Sequence, residues 1–537
     1  MVAVLVVVAV ARLRLLNFPL ERDEGEYAYA GQLMLQGIPP YQLAYNMKFP
    51  GTYAAYAVIM ALFGQTPAGI HFGLLCMTTL TALMLFWLGK QILDWTAGMI
   101  AATFYAVMAA SPSMLGLSGH ATHFAAFFAT AGLCAMWRTR QNGHGLMVMT
   151  AGLLFGAAIL MKQPAALIAL WAAMAFAVTR FRRTETPIGK RLGAIAAFGA
   201  GIILPVALCC LILWRAGVFE KFWFWTIVYA RQYASIVPIT ESPKLFRAGF
   251  GRVIAANYSM WLMAAGGLVL IGFDKRLQKK RVWLLGFSLA LSLSVCPGFY
   301  FRKHYFLLML PALALLAGCA VSGMRRLWNE RSRPSQLGDW PVWGYGFMVA
   351  VTMLVNRDIW FVQTPTQVSR TTYGTDPFPE AQLVASYIRA NSSPEAHVAI
   401  LGSEPEIYFL SRRHSATGYI YTYGLMEPQP FARQMQGEMI REIETDAPKF
   451  VVFADNIMSW WRYPDSDLGI FDWWNSYRTN YTLVALSDVI SPTETINAWG
   501  TNAIAHYGVA HGSALEIYQR KTTLLSPQAP SSSVKRP

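Results

Sequence analysis

Long apolar runs separated by short polar clusters fill the first two thirds of the chain, and they have the lengths of membrane-crossing helices. Runs at about 68–90, 95–111, 119–137, 145–161, 164–179, 192–214, 253–273, 282–296, 305–322 and 341–356 fall near the roughly 17–25 residues a bilayer requires. A shorter run over residues 1–16 ends in Arg12 and Arg14, which can snorkel to an interface. Together they predict about eleven transmembrane helices. Between the first two runs, 17–67 is polar and acidic. A helix begun there is broken at Gly37-Ile38-Pro39-Pro40, and the apolar stretch Tyr53–Phe63 is too short to span, so it reads as a helix lying along the membrane surface.

After residue 358 the pattern changes to strand-length apolar runs among Asp, Glu, Pro and Asn. His397–Gly402, Lys449–Ala454, Tyr481–Leu486 and Leu515–Tyr518 read as strands, with helices near 379–391, 404–411 and 432–445 between them. The expectation is a polytopic α-helical membrane unit over 1–358, a small extracytoplasmic α/β domain over 359–525 and a disordered tail over 526–537.

Composition agrees: 55% hydrophobic and 14% charged residues exclude an ordinary soluble protein. The formal net charge of +15 does not argue for nucleic acid, because much of the Lys and Arg sits in short clusters between apolar runs. Arg138 and Arg140, then Arg180–Arg191, Lys275–Arg281 and Arg325–Arg333 all fall on one face, which the positive-inside rule makes cytoplasmic. The acidic segment and everything after 358 are then outside, which fits a multi-pass protein of a bacterial inner (plasma) membrane. Lys221, Arg231, Lys244, Arg247 and Arg252 place positive charge on the outer face, against the rule, which signals an anionic ligand, the alternative being a different topology. The six cysteines lie in or beside apolar runs and predict neither a disulfide framework nor a zinc cluster. The run Val2–Val10 has no basic flank before it, so no cleavable leader is expected.

The densest chemistry lies in Glu21-Arg22-Asp23-Glu24-Gly25-Glu26-Tyr27, where four carboxylates occupy six positions. Carboxylates beside a bilayer must face water, protein or substrate. On a helical turn Asp23 shares a face with Glu26 and Tyr27, while Glu24 points elsewhere. Neighbouring carboxylates push one pKa up, which suits a general base. A solvated acidic turn at a helix start explains the same residues.

With Asp23-Glu24-Gly25-Glu26-Tyr27, Gly37-Ile38-Pro39-Pro40-Tyr41 and Lys48-Phe49-Pro50-Gly51, then Lys162-Gln163-Pro164 and His304-Tyr305…Pro311 in order, the chain resembles the polyprenyl-phosphate-sugar-dependent glycosyltransferases of the GT-C superfamily. That group includes the lipid A aminoarabinose transferases and the protein O-mannosyltransferases. Val384–Arg389 and Glu404–Tyr408 are similar to the outer domain that many bacterial members carry. The resemblance implies an inverting transfer of a sugar from a polyprenyl-phosphate donor to an acceptor hydroxyl on a glycolipid, a glycan or a protein. It places the base on Asp23, with Glu24 as substitute, and the donor phosphate on Lys48, in accord with a cation stabilising the leaving oxygen.

Arg302, Lys303 and His304 form a basic group that suits either a donor phosphate or lipid headgroups. Lys162 either reaches the interface or points into a cavity. The aromatics of Glu220–Trp225 and Tyr229–Tyr233, with Arg231 among them, read as an interfacial girdle, sugar stacking being the alternative. Many relatives have an acidic residue where this chain has His120 and His123, three apart on one helical face. These could bind substrate, or ligate a divalent metal ion with Asp23; packing or capping is the plainer role, and no cofactor is certain from the sequence. A transporter or flippase of a lipid-linked substrate remains the competing class, although the chain shows no repeated halves.

Overall fold

The computed structural model describes residues 1–140, 145–331, 339–507 and 512–521. The predicted tail at 526–537 lies outside them. The chain is mostly helical until it enters a single mixed sheet.

The apolar runs, and the acidic segment between the first two of them, form helices. They are α1 (Val2–Arg14), α2 (Arg22–Leu35), α3 (Gly51–Phe63), α4 (Pro67–Ile92), α5 (Trp95–Ala109), α6 (Ala121–Arg138), α7 (Gly145–Met161), α8 (Ala166–Phe181) and α9 (Ile188–Arg215). There follow α10 (Phe219–Trp223), a π-helical turn over Phe224–Tyr229, α11 (Ala230–Ser235), α12 (Ser242–Ala255), α13 (Tyr258–Phe273), α14 (Arg281–Leu293), α15 (Leu310–Arg331) and α16 (Trp340–Val355).

Local chemistry sets the starts. The Asp94 carboxylate accepts the Ala97 N–H at the head of α5, and Thr66 with Pro67 opens α4. Close packing is carried by small residues: a Cβ on Gly152 would lie 2.2 Å from the Phe198 carbonyl oxygen, and one on Gly201 2.4 Å from that of Met149. That is how α7 and α9 approach so closely.

Among the described residues four helices are long and apolar enough to cross a membrane: α4, Gln163–Phe181, α9 and Lys303–Glu330. A bent pair, α12 with α13, makes a fifth if counted as one span. The runs at 95–111, 145–161, 282–296 and 341–356 form shorter apolar helices. The run expected at 253–273 is not continuous, because the chain turns by 109° between Ala255 and Tyr258. Asn257 lies in this break, its side-chain amide donating to Ser111 at 2.7 Å and Ser113 at 3.1 Å.

The basic clusters meet at one end of this layer. Arg183 donates to the Arg140 carbonyl and Arg180 to that of Thr139, while Lys280 reaches Ile92. There Arg276 pairs with Asp94 at 3.0 Å and with Asp274 at 2.7 Å, and Arg326 with Asp274 at 3.1 Å.

The remainder folds as α17 (Pro365–Tyr373), α18 (Phe378–Ala390), β1 (His397–Leu401), α19 (Glu406–Ser411), β2 (His414–Ser415), α20 (Tyr423–Met426), α21 (Ala432–Asp446), β3 (Phe450–Asp455), α22 (Ile457–Trp460), α23 (Gly469–Tyr477), β4 (Tyr481–Ser491), β5 (Glu494–Trp499), α24 (Thr501–His506) and β6 (Ser513–Arg520). The strand order is β2-β1-β3-β6-β4-β5, parallel among the first three and antiparallel beyond. Sequence pattern missed β2, which is two residues long, and the edge strand β5.

This unit clamps onto α2. Arg22 donates to the Ser403 carbonyl at 2.7 Å and pairs with Glu404 at 2.8 Å and Asp376 at 3.2 Å. A Cβ on Gly25 would come within 2.5 Å of the Glu406 nitrogen, so only glycine lets α2 and α19 meet.

Candidate active site

The site begins with the helix signal in the acidic stretch. Glu21 caps α2 by accepting the Glu24 N–H at 3.0 Å, and Asp23 and Glu24 in the first turn favour its positive end. One helical turn then separates the carboxylates by face. Asp23 and Glu26 both bind the Lys48 ammonium, at 2.8 and 2.6 Å, and the Tyr27 ring lies 4.6 Å beneath it. Glu24 points the other way. It accepts the Gly119 N–H at 2.6 Å and contacts His71 Nε2 at 3.1 Å, wholly buried. The stretch is therefore not a solvated turn: Glu21, Glu24 and Glu26 are all buried.

Lys48 is held up to α2 by the packing of its neighbours. Gln163 donates to the Met47 carbonyl at 2.6 Å, Tyr41 to the Lys48 carbonyl at 2.7 Å, and Thr52 to the Met161 carbonyl at 2.9 Å. A Cβ on Gly51 would lie 2.5 Å from the Leu160 backbone, which brings the start of α3 against the end of α7. Lys162 is thereby turned inward, its ammonium 4.4 Å over the Tyr305 ring.

These groups wall a cavity of about 390 Å³. Asp23, Tyr27, Lys48, Lys162, Arg231, Arg302 and His304, all singled out in the sequence, line it together. Glu26 lies behind Lys48, and His120 is buried between Asp23 and His304, its ring stacked on that of His304 at 4.2 Å. Glu24, Lys303 and His123 do not line it. Part of the expected girdle is corrected: Trp225, Tyr229 and Tyr233 face the cavity because they follow one another at four-residue spacing along the helix running from α10 to α11, whereas Phe222 packs on Tyr41, Phe224 on Phe431, and Trp223 is exposed. Sequence reasoning missed Tyr421, Tyr423 and Glu427, which the sheet unit contributes to the wall. The aromatic run Tyr419–Tyr423 carried a signal; Glu427, in an irregular loop, carried none.

Burial would raise the Asp23 pKa, but Lys48, with His120 and His304 beside it, outweighs burial and holds it well below the usual carboxylate range. For Glu26 burial prevails over the same lysine, and its pKa is raised. Burial pulls Lys162 down to about 7, with Lys48 and Arg302 adding to it. Asp23 is thus the ionised carboxylate at the wall and Lys162 a cation that titrates near neutrality.

Asp23, His120 and His304 could also hold a metal ion, their donor atoms lying within 4.8 Å of one another. Neither His120 nitrogen has a hydrogen-bond partner among the described residues, and Nδ1 is 3.7 Å from Asp23 Oδ2. Two imidazoles and a carboxylate fit a divalent ion such as zinc. The third member is His304, from the start of the α15 span, and not His123.

No protein-family model and no curated protein matches the sequence. Solved structures do. ArnT from Cupriavidus metallidurans bound to undecaprenyl phosphate superposes with a TM-score of 0.58 at 14% identity, over 98% of each chain. The oligosaccharyltransferase AglB of Archaeoglobus fulgidus gives a TM-score of 0.51 at 14% identity, over 95% of this chain and 75% of that one. The archaeal enzyme has also been crystallised with zinc and sulfate, and its structure is known in complex with an inhibitory peptide and a dolichol phosphate. At such identity the likeness is one of fold.

Proposed function

We propose that this chain is an integral-membrane inverting glycosyltransferase that moves a sugar from a polyprenyl-phosphate donor to an acceptor hydroxyl. The observation that carries this reading is the Asp23–Lys48 pair on the wall of a cavity, within a fold shared with two lipid-dependent glycosyltransferases. Asp23 takes the proton of the acceptor hydroxyl. The hydroxyl oxygen so freed attacks the anomeric carbon from the face opposite the phosphate, the carbon–oxygen bond to phosphate breaks, and polyprenyl phosphate leaves with inversion of configuration.

Negative charge grows on the departing phosphate oxygen, and Lys48, Lys162 and Arg302 supply the cations that meet it. Glu26, behind Lys48, keeps that ammonium in place when phosphate draws it away from Asp23. Held by Asp23, His120 and His304, a divalent ion would add a further positive charge for donor oxygens. Glu24 is assigned to the backbone at Gly119, not to the base role.

The same reading takes the shorter apolar helices as spans, about eleven in all, and puts the acidic segment and the 359–525 unit outside a bacterial inner membrane. Convergence of the basic clusters at the end opposite the cavity supports that orientation.

The deciding experiment is transfer in liposomes from a panel of radiolabelled polyprenyl-phosphate sugars, comparing wild type with Asp23→Asn, with and without chelator. Loss of transfer with donor binding kept supports the assignment. Normal transfer by Asp23→Asn removes Asp23 from the chemistry, and translocation of a lipid-linked substrate without transfer makes the chain a transporter.

A further inference from the structure

Away from Asp23, the other wall of the cavity contains a built polar site that the transfer chemistry does not use. Glu427 follows α20 in the sheet unit and is 5% exposed, yet its carboxylate lines the cavity. The Tyr229 hydroxyl donates to Oε2, and Oε1 takes no hydrogen bond from a described residue. Around it stand aromatic rings: Trp225 meets Tyr229 edge-on at 5.0 Å, and Tyr233 stacks on Tyr300 at 4.7 Å.

Two backbone features hold this arrangement. The π-helical turn Phe224–Tyr229 widens the helix where Trp225 and Tyr229 turn inward, and such turns recur at functional sites. Gly424 stands against Tyr229, where a Cβ would lie 2.9 Å from the phenol oxygen, so the tyrosine reaches Glu427 only because that position has no side chain.

A buried carboxylate with one oxygen free, set among aromatic faces, has the chemistry of a sugar subsite. The oxygen accepts a ring hydroxyl, and a ring face packs on the apolar face of a pyranose. We infer that Glu427, locked by Tyr229 and flanked by Trp225, accepts a specific hydroxyl of a pyranose ring and so sets which sugar this cavity admits. The inference rests on the glycosyltransferase reading and deepens it, since it moves sugar selection to the sheet unit while Asp23 and Lys48 keep the chemistry. The ring is that of the donor or of a glycan acceptor.

Two arms decide it. In the first, kcat/KM is measured in liposomes for the polyprenyl-phosphate sugar that wild type uses and for its monodeoxy analogues, then for monodeoxy forms of a glycan acceptor, with wild type, Glu427→Gln and Tyr229→Phe. Wild type should disfavour one monodeoxy sugar by about tenfold to a hundredfold, the worth of one hydrogen bond to a buried charge. Both variants should shrink that ratio to about twofold while leaving the other deoxy ratios alone; the series that responds tells donor from acceptor. In the second, methyl pyranosides are added to the detergent-solubilised protein and followed by saturation-transfer NMR, which should show binding in wild type that weakens in Glu427→Gln. Unchanged discrimination in variants that elute and unfold like wild type overturns the inference and leaves the transferase reading intact. If wild type transfers no sugar, the transferase reading falls, and the NMR arm decides alone: pyranoside binding indifferent to Glu427, or none, overturns the inference.

Discussion

At the end of the helical layer away from the cavity, Asp94 and Asp274 share Arg276, Arg326 closes on Asp274, and Ser322 donates to Asp94. At the cavity end, Glu21, Asp23, Glu24 and Glu26 crowd into one turn, with a single ammonium between two of them, an imidazole beside Glu24 that already serves the Leu16 carbonyl, and His120 nitrogens without a hydrogen-bond partner among the described residues. The first cluster is complete as it stands. The second leaves polar atoms without hydrogen-bond partners among the described residues, and it is the one that opens on a cavity. Pairing charges locally fixes helices in place; leaving them underpaired around a cavity holds groups ready for something that is not protein.

Mutation separates the two ends. Asp23→Asn keeps size and removes charge, and we expect transfer to fall by about 10³-fold with little change in thermal unfolding, measured as initial rate per folded molecule. In contrast, Asp274→Asn should leave that rate unchanged and lower stability by about 1 kcal/mol at pH 7, discounted because Arg276 is a third exposed. The sign follows from Asp274 itself: burial would raise its pKa, but Arg276 depresses it, so its contribution is present above the ordinary value of 3.8 and fades as pH falls through the folded value. A Tm that does not respond, or a rate that does, would break the comparison.

The joint between α2 and α19 gives a third test. Burial, then repulsion from Glu404, raises Glu406 well above its ordinary value of 4.5, and neither of its oxygens has a hydrogen-bond partner among the described residues. Folding therefore keeps a proton that the unfolded chain gives up, and stability declines as pH rises from 4.5 through the folded value. Glu406→Gln has no proton to lose. It should gain about 1 kcal/mol at pH 8 and nothing at pH 4, read as the Tm difference at the two pH values. The smallest effect belongs to Lys162. It is charged below about 7 and neutral above, so donor KM should rise a few-fold between about pH 6 and 8 in wild type and stay flat in Lys162→Arg. A flat wild-type profile would take Lys162 out of the phosphate site.

Residues whose partners lie on their own element, or in a neighbouring turn, were legible in the sequence. The helical turn at Asp23 predicts its separation from Glu24 by spacing alone, and both structure and spacing put Asp23 with Glu26. The apolar runs predict nearly every helix of the layer because length and hydropathy are one-dimensional properties. Long-range partners were not legible. His304 joins Asp23 and His120 only through tertiary packing, so the third possible metal ligand was read as His123 from its three-residue spacing. Asn257 interrupts a run with neither Pro nor Gly to mark the break, because its amide finds Ser111 and Ser113 on another element. Glu427 is invisible for the same reason: its meaning depends on Tyr229, far away in the chain.

The wall contributed by the sheet unit sets an order of events during synthesis. Tyr421, whose hydroxyl reaches Asp23 at 3.4 Å, leaves the ribosome 398 residues after it, when every apolar run has already been made. Until then Arg22 lacks Glu404, and the carboxylates of α2 stand at an open rim. A nascent chain can thus be helical while its cavity is still open, and the enclosed cavity arises only when the later-made sheet unit docks on the earlier-made α2.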